Sequence, residues 1–234
     1  MDFSSIQNID MWVLSLFNGS HNIMLDYWAQ VLTSGFTWIP LYLILFVIVM
    51  RNNETMGQIA LIVGGAFLCV ILADGIVDGI VKPLVARLRP CNDPIYKYAV
   101  HSVMGISAKG FSFCSAHAAN TMSIAVFFAF LVRSKYLTLS LVGWSLINCW
   151  TRLYLGVHYP SDVLCGILLG IVVGILVYLF YIKMYFKISP KINYISNQYT
   201  STGYDHDDID MVMVILALTF VYVLIRGVVM ATSM

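Results

Sequence analysis

Charge is scarce in this sequence: Asp, Glu, Lys and Arg make up 11% of the residues, and residues 1–50 contain no lysine or arginine. Hydrophobic residues make up 60% of the chain, and the mean hydropathy is +0.84. A soluble domain of 234 residues does not need this apolar share, which is typical of an integral membrane protein. The net charge of +1 and the lack of a basic tract argue against nucleic acid as a partner.

The N-terminal segment has no basic residue before its apolar positions and no convincing cleavage site. These absences predict a retained segment rather than a signal peptide. Its apolar residues recur at helical spacing, which is typical of a short amphipathic helix lying in the membrane interface, a frayed apolar tail being the alternative. They are Ile6, Ile9, Trp12, Val13, Leu16 and Phe17.

Long apolar runs predict an all-α fold, a polytopic membrane helix bundle. A bilayer core about 30 Å thick needs roughly 20 apolar residues per spanning helix. Five segments meet this requirement: 56–81, 116–132, 137–155, 160–185 and 211–229. A sixth ends at Met50 and must begin near residues 27–31, because only 36–50 is strongly apolar. We predict about six transmembrane helices after the amphipathic N-terminal segment, in one domain over residues 1–234.

The basic turns predict an orientation, because Lys and Arg are enriched in short cytoplasmic loops. One side of a six-helix count carries Arg51, Arg133, Lys135, Lys183, Lys187 and Lys191. The loop over residues 82–113 and the turn around His158 then lie on the extracytoplasmic side. A short chain with sparse loops favours a bacterial inner membrane with a periplasmic site, and an endoplasmic-reticulum membrane with a luminal site is the alternative.

Three separate loops bring ionisable side chains to this outer boundary. Such side chains are costly in a membrane and usually mark function. The set is Lys82, Arg89, His117, Arg152, His158 and Asp162. Ser115 and the small Ala116 open an apolar helix, whose N-terminus offers backbone N–H groups and a positive dipole. Cations and a helix N-terminus together predict a site for a dianion such as phosphate.

The two histidines suggest how such a site would work. His158 stands four residues before Asp162, so the carboxylate can fix the ring tautomer and support a developing positive charge. His158 is therefore the candidate nucleophile. His117 has no carboxylate near it in sequence and is the better candidate for the acid that protonates the leaving oxygen.

Three motifs in this region carry a family resemblance. "KPLVARLRP" at residues 82–90 has the pattern K-x6-R-P, "CSAH" resembles P-S-G-H, and "TRLYLGVHYPSD" resembles S-R-x5-H-x3-D. The order and the helix ends fit, so the chain resembles the type 2 phosphatidic acid phosphatase family, with a motif core at residues 82–162. The departures are Cys114 for proline, Ala116 for glycine and Thr151 for serine.

The resemblance implies a metal-independent lipid phosphatase that needs no cofactor and works through a phosphohistidine on His158. It implies His117 as acid, Asp162 as the orienting carboxylate, and as phosphate ligands Lys82, Arg89, Ser115, Ala116 and Arg152. Candidate substrates are phosphatidic acid, phosphatidylglycerol phosphate, undecaprenyl pyrophosphate and lipid A. The alternatives are a lipid phosphotransferase and a non-catalytic membrane protein that binds anionic lipid, and the oligomeric state stays open.

Several polar residues outside the motifs have simpler interpretations. Asp74 and Asp78 share a helix face with Lys82 and are expected as its buried partners or as a polar inner face, a proton path or substrate contact being the alternative. "YDHDDID" at residues 204–210 is expected to be a solvated charge run rather than a metal site. Headgroup-facing or solvated positions are expected for Arg87, Lys97, His101 and Lys109.

The five cysteines fall into two groups, three in predicted helices and two on the predicted outer face. Cys69, Cys149 and Cys165 fall within predicted helices and are expected to be small apolar side chains of the core. Cys91 and Cys114 both fall on the predicted outer face, each beside a motif. If that face is oxidising, a disulfide between these two would brace the loop.

Phosphate release from a lipid phosphate should survive treatment with EDTA. The expectation follows because Lys82, Arg89 and Arg152 offer the positive charge that a metal ion would otherwise supply. The measurement is inorganic phosphate released by the purified protein before and after chelation. Loss of activity that returns on adding a divalent metal would contradict it.

Overall fold

The computed structural model describes residues 3–18, 20, 22–101, 103–106, 108–188 and 198–233. Within these residues nine α-helices follow one another and no strand is present, which confirms the all-α prediction. They are α1 (Phe3–Phe17), α2 (Ile23–Thr33), α3 (Ile39–Arg51), α4 (Met56–Ile76), α5 (Lys82–Val85), α6 (Ala116–Val132), α7 (Lys135–Tyr154), α8 (Pro160–Ile188) and α9 (His206–Thr232).

Three helical segments of the described chain are long and apolar enough to cross a membrane: Met56–Val85, Pro160–Lys187 and His206–Thr232. Helix α2 and the following segment Gly35–Arg51 together pass the same test, but a bend of 67° separates them. Helix α6 is apolar and shorter, at 17 residues. A polytopic bundle is therefore confirmed, whereas the predicted number of six spans is not, because α6 is short and α7 is more polar.

Lys82, a candidate phosphate ligand in the sequence analysis, lies near the end of the span Met56–Val85. Helix α4 begins with a capping box in which the Thr55 side chain accepts from the Gln58 N–H. It continues through one π-helical turn, Val77–Val81, into the short helix α5, which begins at Lys82. Single π turns inside helices often occur at functional sites. Here the turn lies directly before Lys82.

Helices α6 and α8 pack backbone against backbone along a row of glycines. A Cβ atom added to Gly166, Gly170 or Gly174 would lie 2.5 to 2.7 Å from a carbonyl oxygen of α6. Small residues at this spacing are the usual device for close helix packing in membranes. The contact brings the N-terminal ends of both helices together, where the Ser115 N–H donates to the Asp162 carbonyl at 3.0 Å.

The apolar core lies between α3, α4, α6, α7, α8 and α9, and large aromatic side chains fill it. Trp38 packs edge to face against Trp144 and Phe220, with ring centroids 5.8 and 5.7 Å apart. Phe127 makes the same kind of contact with Tyr181. Such pairs favour edge-to-face geometry because of the ring quadrupole.

The acidic run at residues 204–210 lies at the end of the bundle opposite Lys82. His206 and Asp207 are exposed there, as expected. Asp208 is not solvated: it is buried, pairs with Arg51 at 3.0 Å and accepts from Asn52 at 2.7 Å. Asp205 caps α9 by accepting from the Asp207 N–H. For these two carboxylates the predicted solvated charge run is wrong, because they fix the start of α9.

Helix α1 presents apolar side chains outward and buries an acid. Ile9, Trp12 and Leu16 are exposed, whereas Asp10 and Leu14 are buried. This distribution fits the predicted amphipathic segment, with its apolar stripe free to face lipid. The side chain of Ile6, part of the same predicted stripe, lies outside the described residues.

Gly170→Ala should destabilise the protein by about 1–3 kcal/mol, because its new Cβ would lie 2.5 Å from the Ala119 carbonyl oxygen and force the two helices apart. Gly143→Ala is the matched control, since nothing lies within 4 Å of a Cβ at that helical position. The control should be neutral or slightly stabilising. Thermal unfolding in detergent measures both, and equal midpoints would contradict the backbone contact.

Candidate active site

Asp162 is the buried centre of the site, with no side-chain exposure. Tyr159, Pro160, Ser161 and Asp162 form the entry to α8, and the Asp162 carboxylate accepts from the Tyr159 N–H at 2.9 Å, as an acid in a first helical turn often does. It also accepts from the Ser112 hydroxyl and, at 3.0 Å, from Arg87. His158 Nδ1 lies 3.5 Å from its Oδ2 atom. These donors allow a carboxylate to stay charged while buried.

His158 lies in the turn between α7 and α8 and is 4% exposed. Its Nε2 atom lies 3.0 Å from a terminal nitrogen of Arg89. A guanidinium can only donate, so Nε2 is the acceptor and carries no proton. The ring proton of the neutral imidazole is then on Nδ1, facing Asp162. Arg89 and Asp162 thus fix one tautomer from opposite sides of the ring.

The pKa of His158 is lowered to about 4, chiefly by burial. The hydrogen bond to Asp162 acts in the opposite direction, while the charges of Arg89 and Arg152 lower the pKa further. At neutral pH the ring is therefore uncharged, with a lone pair on Nε2. That is the state a histidine nucleophile requires.

The N-terminus of α6 lies beside this ring. Ser115 is the N-cap, and its side chain accepts from the Ala118 N–H at 3.4 Å. Because the Ser115 N–H is already bonded to the Asp162 carbonyl, the first-turn N–H groups of Ala116 and His117 form the open end of the helix. Open N–H groups of this kind are the usual feature by which a helix N-terminus accepts anionic oxygens.

Lys82 lies at the rim with Asp78, whose carboxylate it contacts at 2.5 Å. Asp78 is the more exposed partner, with 57% of its side chain accessible against 15% for Lys82. Asp74, one turn earlier, accepts from Asn120 of α6 at 2.8 Å. Asp78 is therefore a partner of Lys82, as expected, but it is exposed rather than buried. Asp74 is not a partner of Lys82 and links α4 to α6 instead.

His117 and Arg152 meet at the C-terminal end of α2. A terminal nitrogen of Arg152 lies 3.4 Å from the Thr33 carbonyl, and the His117 ring also hydrogen-bonds that carbonyl. The last carbonyls of a helix carry partial negative charge, which suits the positive charge of Arg152. Both residues lie close enough to His158 to interact with its charge.

The structure joins four of the predicted residues by direct contacts: His158, Asp162, Arg89 and Ser115. It holds His117 and Arg152 on Thr33, and Lys82 on Asp78. Within the described chain no group of three or more His, Cys, Asp or Glu side chains is arranged to hold a metal ion.

Two residues of the site were missed by the sequence analysis. Ser112 donates to Asp162, and only its place just before the second motif hinted at a role. Arg87 was expected among headgroups or in solvent, and that expectation is wrong. Its side chain is 11% exposed, pairs with Asp162 and lies over the Tyr159 ring at 3.7 Å. Lys97 and Lys109 are exposed, as predicted.

The predicted disulfide is absent, since Cys91 and Cys114 are both free thiols. They pack in different apolar clusters: Cys91 lies against Val103 and Tyr154, and Cys114 lies with Ala73 and Ala119. The second cluster also includes Cys165 of α8. The order of residues in the loop did not reveal that these two cysteines turn toward separate clusters.

The cluster of arginines, histidines and a helix N-terminus lies at one end of an apolar helix bundle. The sequence matches the PAP2 superfamily over residues 63–185, and the chain belongs to that superfamily. The resemblance to type 2 phosphatidic acid phosphatases is thereby confirmed, and the protein is a membrane lipid phosphatase.

Two relatives are lipid A 4′-phosphatases. The chain is 37% identical over 163 residues to that of Bacteroides thetaiotaomicron, covering 69% of this chain and 72% of the relative. It is 30% identical over 152 residues to that of Porphyromonas gingivalis, covering 64% of this chain and 63% of the relative.

Two crystal structures share the fold. LpxE of Aquifex aeolicus has a TM-score of 0.52 and 23% identity, covering 70% of this chain and 92% of that one. A transmembrane PAP2-type phosphatidylglycerolphosphate phosphatase of Bacillus subtilis has a TM-score of 0.53 and 21% identity, covering 80% and 90%.

Lowering the pH from about 6.5 to about 4 should destabilise the wild-type protein more than His158→Asn. The unfolded histidine has a pKa of about 6.5, whereas the folded pKa is about 4. The unfolded state then binds more protons in this window, so the free energy of unfolding rises with pH and falls as the pH falls. The contribution of His158 approaches about 3 kcal/mol.

Thermal unfolding in detergent at several pH values measures this slope. His206→Asn is the control, because that histidine is exposed at the start of α9 and should leave the wild-type slope unchanged. If stability depended on pH in His158→Asn as it does in the wild type, His158 would not be held neutral by burial.

Proposed function

We propose that the protein hydrolyses a lipid phosphate monoester or pyrophosphate through a phosphohistidine on His158, at the extracytoplasmic face of the membrane. One observation carries the proposal: Asp162 faces Nδ1 and Arg89 faces Nε2, so the lone pair of a neutral ring is directed to the place where cations converge. The phosphate ligands would be Lys82, Arg89, Arg152, Ser115 and the N–H of Ala116.

In the first step Nε2 of His158 forms a bond to phosphorus while the bond from phosphorus to the lipid oxygen breaks. His117 donates a proton to that leaving oxygen, and the lipid departs. Asp162 offsets the positive charge that develops on the ring. Arg89, which contacts Nε2 in the free enzyme, moves its hydrogen bond to a phosphate oxygen.

In the second step water attacks the phosphohistidine, and His117 takes up a proton from it. The bond between Nε2 and phosphorus breaks, inorganic phosphate is released, and the neutral ring is restored. The first-turn N–H groups of α6 and the three cations stabilise the charge on the equatorial oxygens in both steps. Because these groups carry the positive charge, the proposed steps need no metal.

The proposed substrate is a phosphorylated glycolipid of the lipid A type. The support is that both relatives named above are lipid A 4′-phosphatases, one of them 37% identical. Phosphatidic acid, phosphatidylglycerol phosphate and undecaprenyl pyrophosphate are the other candidates. The proposed location is a bacterial inner membrane with the site on the periplasmic side, because Arg51 and Arg133 lie at the opposite end of the bundle.

The test is phosphate release by the detergent-purified protein from each of these four lipids, with His158→Ala alongside. The variant should lose about 10³-fold or more, since it lacks the nucleophile. His206→Ala is the matched control, a histidine exposed at the opposite end of the bundle, and should keep wild-type activity.

Each outcome of the panel decides a different part of the proposal. Release confined to lipid A would establish the glycolipid substrate, and release mainly from another lipid would overturn that part alone. Transfer of the phosphoryl group to an added lipid acceptor in place of release would favour a phosphotransferase. Full activity in His158→Ala would overturn the mechanism.

A further inference from the structure

A buried acid on the N-terminal helix lies outside the motifs. Asp10 of α1 is 4% exposed. Its carboxylate accepts from Arg87 at 2.7 Å, and from the N–H and hydroxyl of Ser161 at 2.9 and 2.6 Å. The apolar residues of α1 would suffice to hold the helix at a membrane interface, so an acid buried on it needs another explanation.

Arg87 connects this acid to the site. One terminal nitrogen donates to Asp10, and the other donates to Asp162 at 3.0 Å and to the Ser161 hydroxyl at 2.7 Å. The guanidinium also lies over the Tyr159 ring. A chain of direct contacts therefore runs from Asp10 through Arg87 and Asp162 to His158.

The charges along this chain explain why two carboxylates are needed. Arg87 alone would neutralise Asp162 and leave little negative charge to offset the positive charge that develops on His158. With Asp10 present, the group of Asp10, Arg87 and Asp162 keeps one net negative charge. Because these residues are buried, the charge is poorly screened and acts strongly on the adjacent ring.

The contacts of Arg87 also indicate that both carboxylates are needed. A buried guanidinium with a single carboxylate partner would be drawn fully toward it and would compete with His158 for its oxygens. Asp10 holds Arg87 from the opposite side, and Ser161 ties the same carboxylate to the first turn of α8. The Asp162 oxygen that faces Nδ1 thereby stays available to the ring.

We propose that Asp10 is a positioning residue for His158: it holds Arg87 and balances its charge, so that Asp162 can support the nucleophile. The inference rests on the proposed function, because its consequence is the rate of phosphoryl transfer. Asp10 makes no contact with the phosphate ligands Lys82 and Arg152 in the described network, so its loss should lower kcat and leave KM nearly unchanged.

The first variant is Asp10→Asn, which keeps the size of the side chain and loses its charge. We expect kcat to fall about tenfold to a hundredfold, by analogy with the loss of outer-shell partners at metal sites, with KM within about twofold. Asp10→Glu keeps the charge and should retain most of kcat. Asp26→Asn is the control, because Asp26 accepts from the Tyr154 hydroxyl at 2.6 Å but has no link to Arg87.

A double-mutant cycle separates charge balance from simple anchoring of α1. In an Arg87→Gln background no guanidinium needs balancing, so Asp10→Asn should cause no further loss of kcat. Losses that multiply would overturn the inference, as would an unchanged kcat in Asp10→Asn or a change confined to KM. Thermal unfolding of each variant shows whether it is folded.

If Asp10→Asn does not fold, the variant Arg87→Lys tests the inference in its place. Lysine keeps the charge but cannot bond both carboxylates in the same forked geometry, so kcat should fall about tenfold at constant KM, and an unchanged kcat overturns the inference. Wild-type protein that releases phosphate, together with inactive His158→Ala, establishes the proposed function independently of Asp10. Inactive wild-type protein would overturn the proposed function and the inference with it.

Discussion

The structure depends on keeping one carboxylate charged in a place without water. A buried carboxylate costs several kcal/mol unless its oxygens are satisfied, and Asp162 meets this constraint with donors from separate parts of the chain. Ser112 and Arg87 come from the long loop after the first span, and Tyr159 comes from the turn before α8. Each donor fixes one segment relative to the others. Satisfying the charge therefore also assembles the loops around His158.

Helix packing supplies the frame for that arrangement. The glycines of α8 let it approach the backbone of α6, so the N-terminal ends of both helices reach the same point. One end presents N–H groups for an anion, and the other presents Asp162. A wider separation of the helices would leave each helix end intact but separate the proposed anion site from His158 and Asp162. Close packing in the apolar layer thus determines distances in the polar layer above it.

Local patterns predicted the residues whose partners are near in sequence. His158 and Asp162 are four residues apart, and Ser115 caps the helix it opens, so spacing was enough for both. Sequence spacing could not identify the partners of Arg87, because Asp10 lies 77 residues away and Asp162 lies 75 residues away. Apolar periodicity found the helices but not the number of spans, since the bend after Thr33 and the length of α6 depend on packing. The disulfide suggested between Cys91 and Cys114 is absent for the same reason: packing places the two side chains in different apolar clusters.

The three cations proposed to bind phosphate already have partners in the structure. Arg89 donates to His158, Lys82 pairs with Asp78, and Arg152 contacts the Thr33 carbonyl. In the proposed reaction an incoming phosphate must displace these partners, so it would bind less tightly than it would to three unpaired cations. When the proposed reaction ends, the same partners compete with inorganic phosphate for the cations. The contacts of the resting site would therefore favour release of the product.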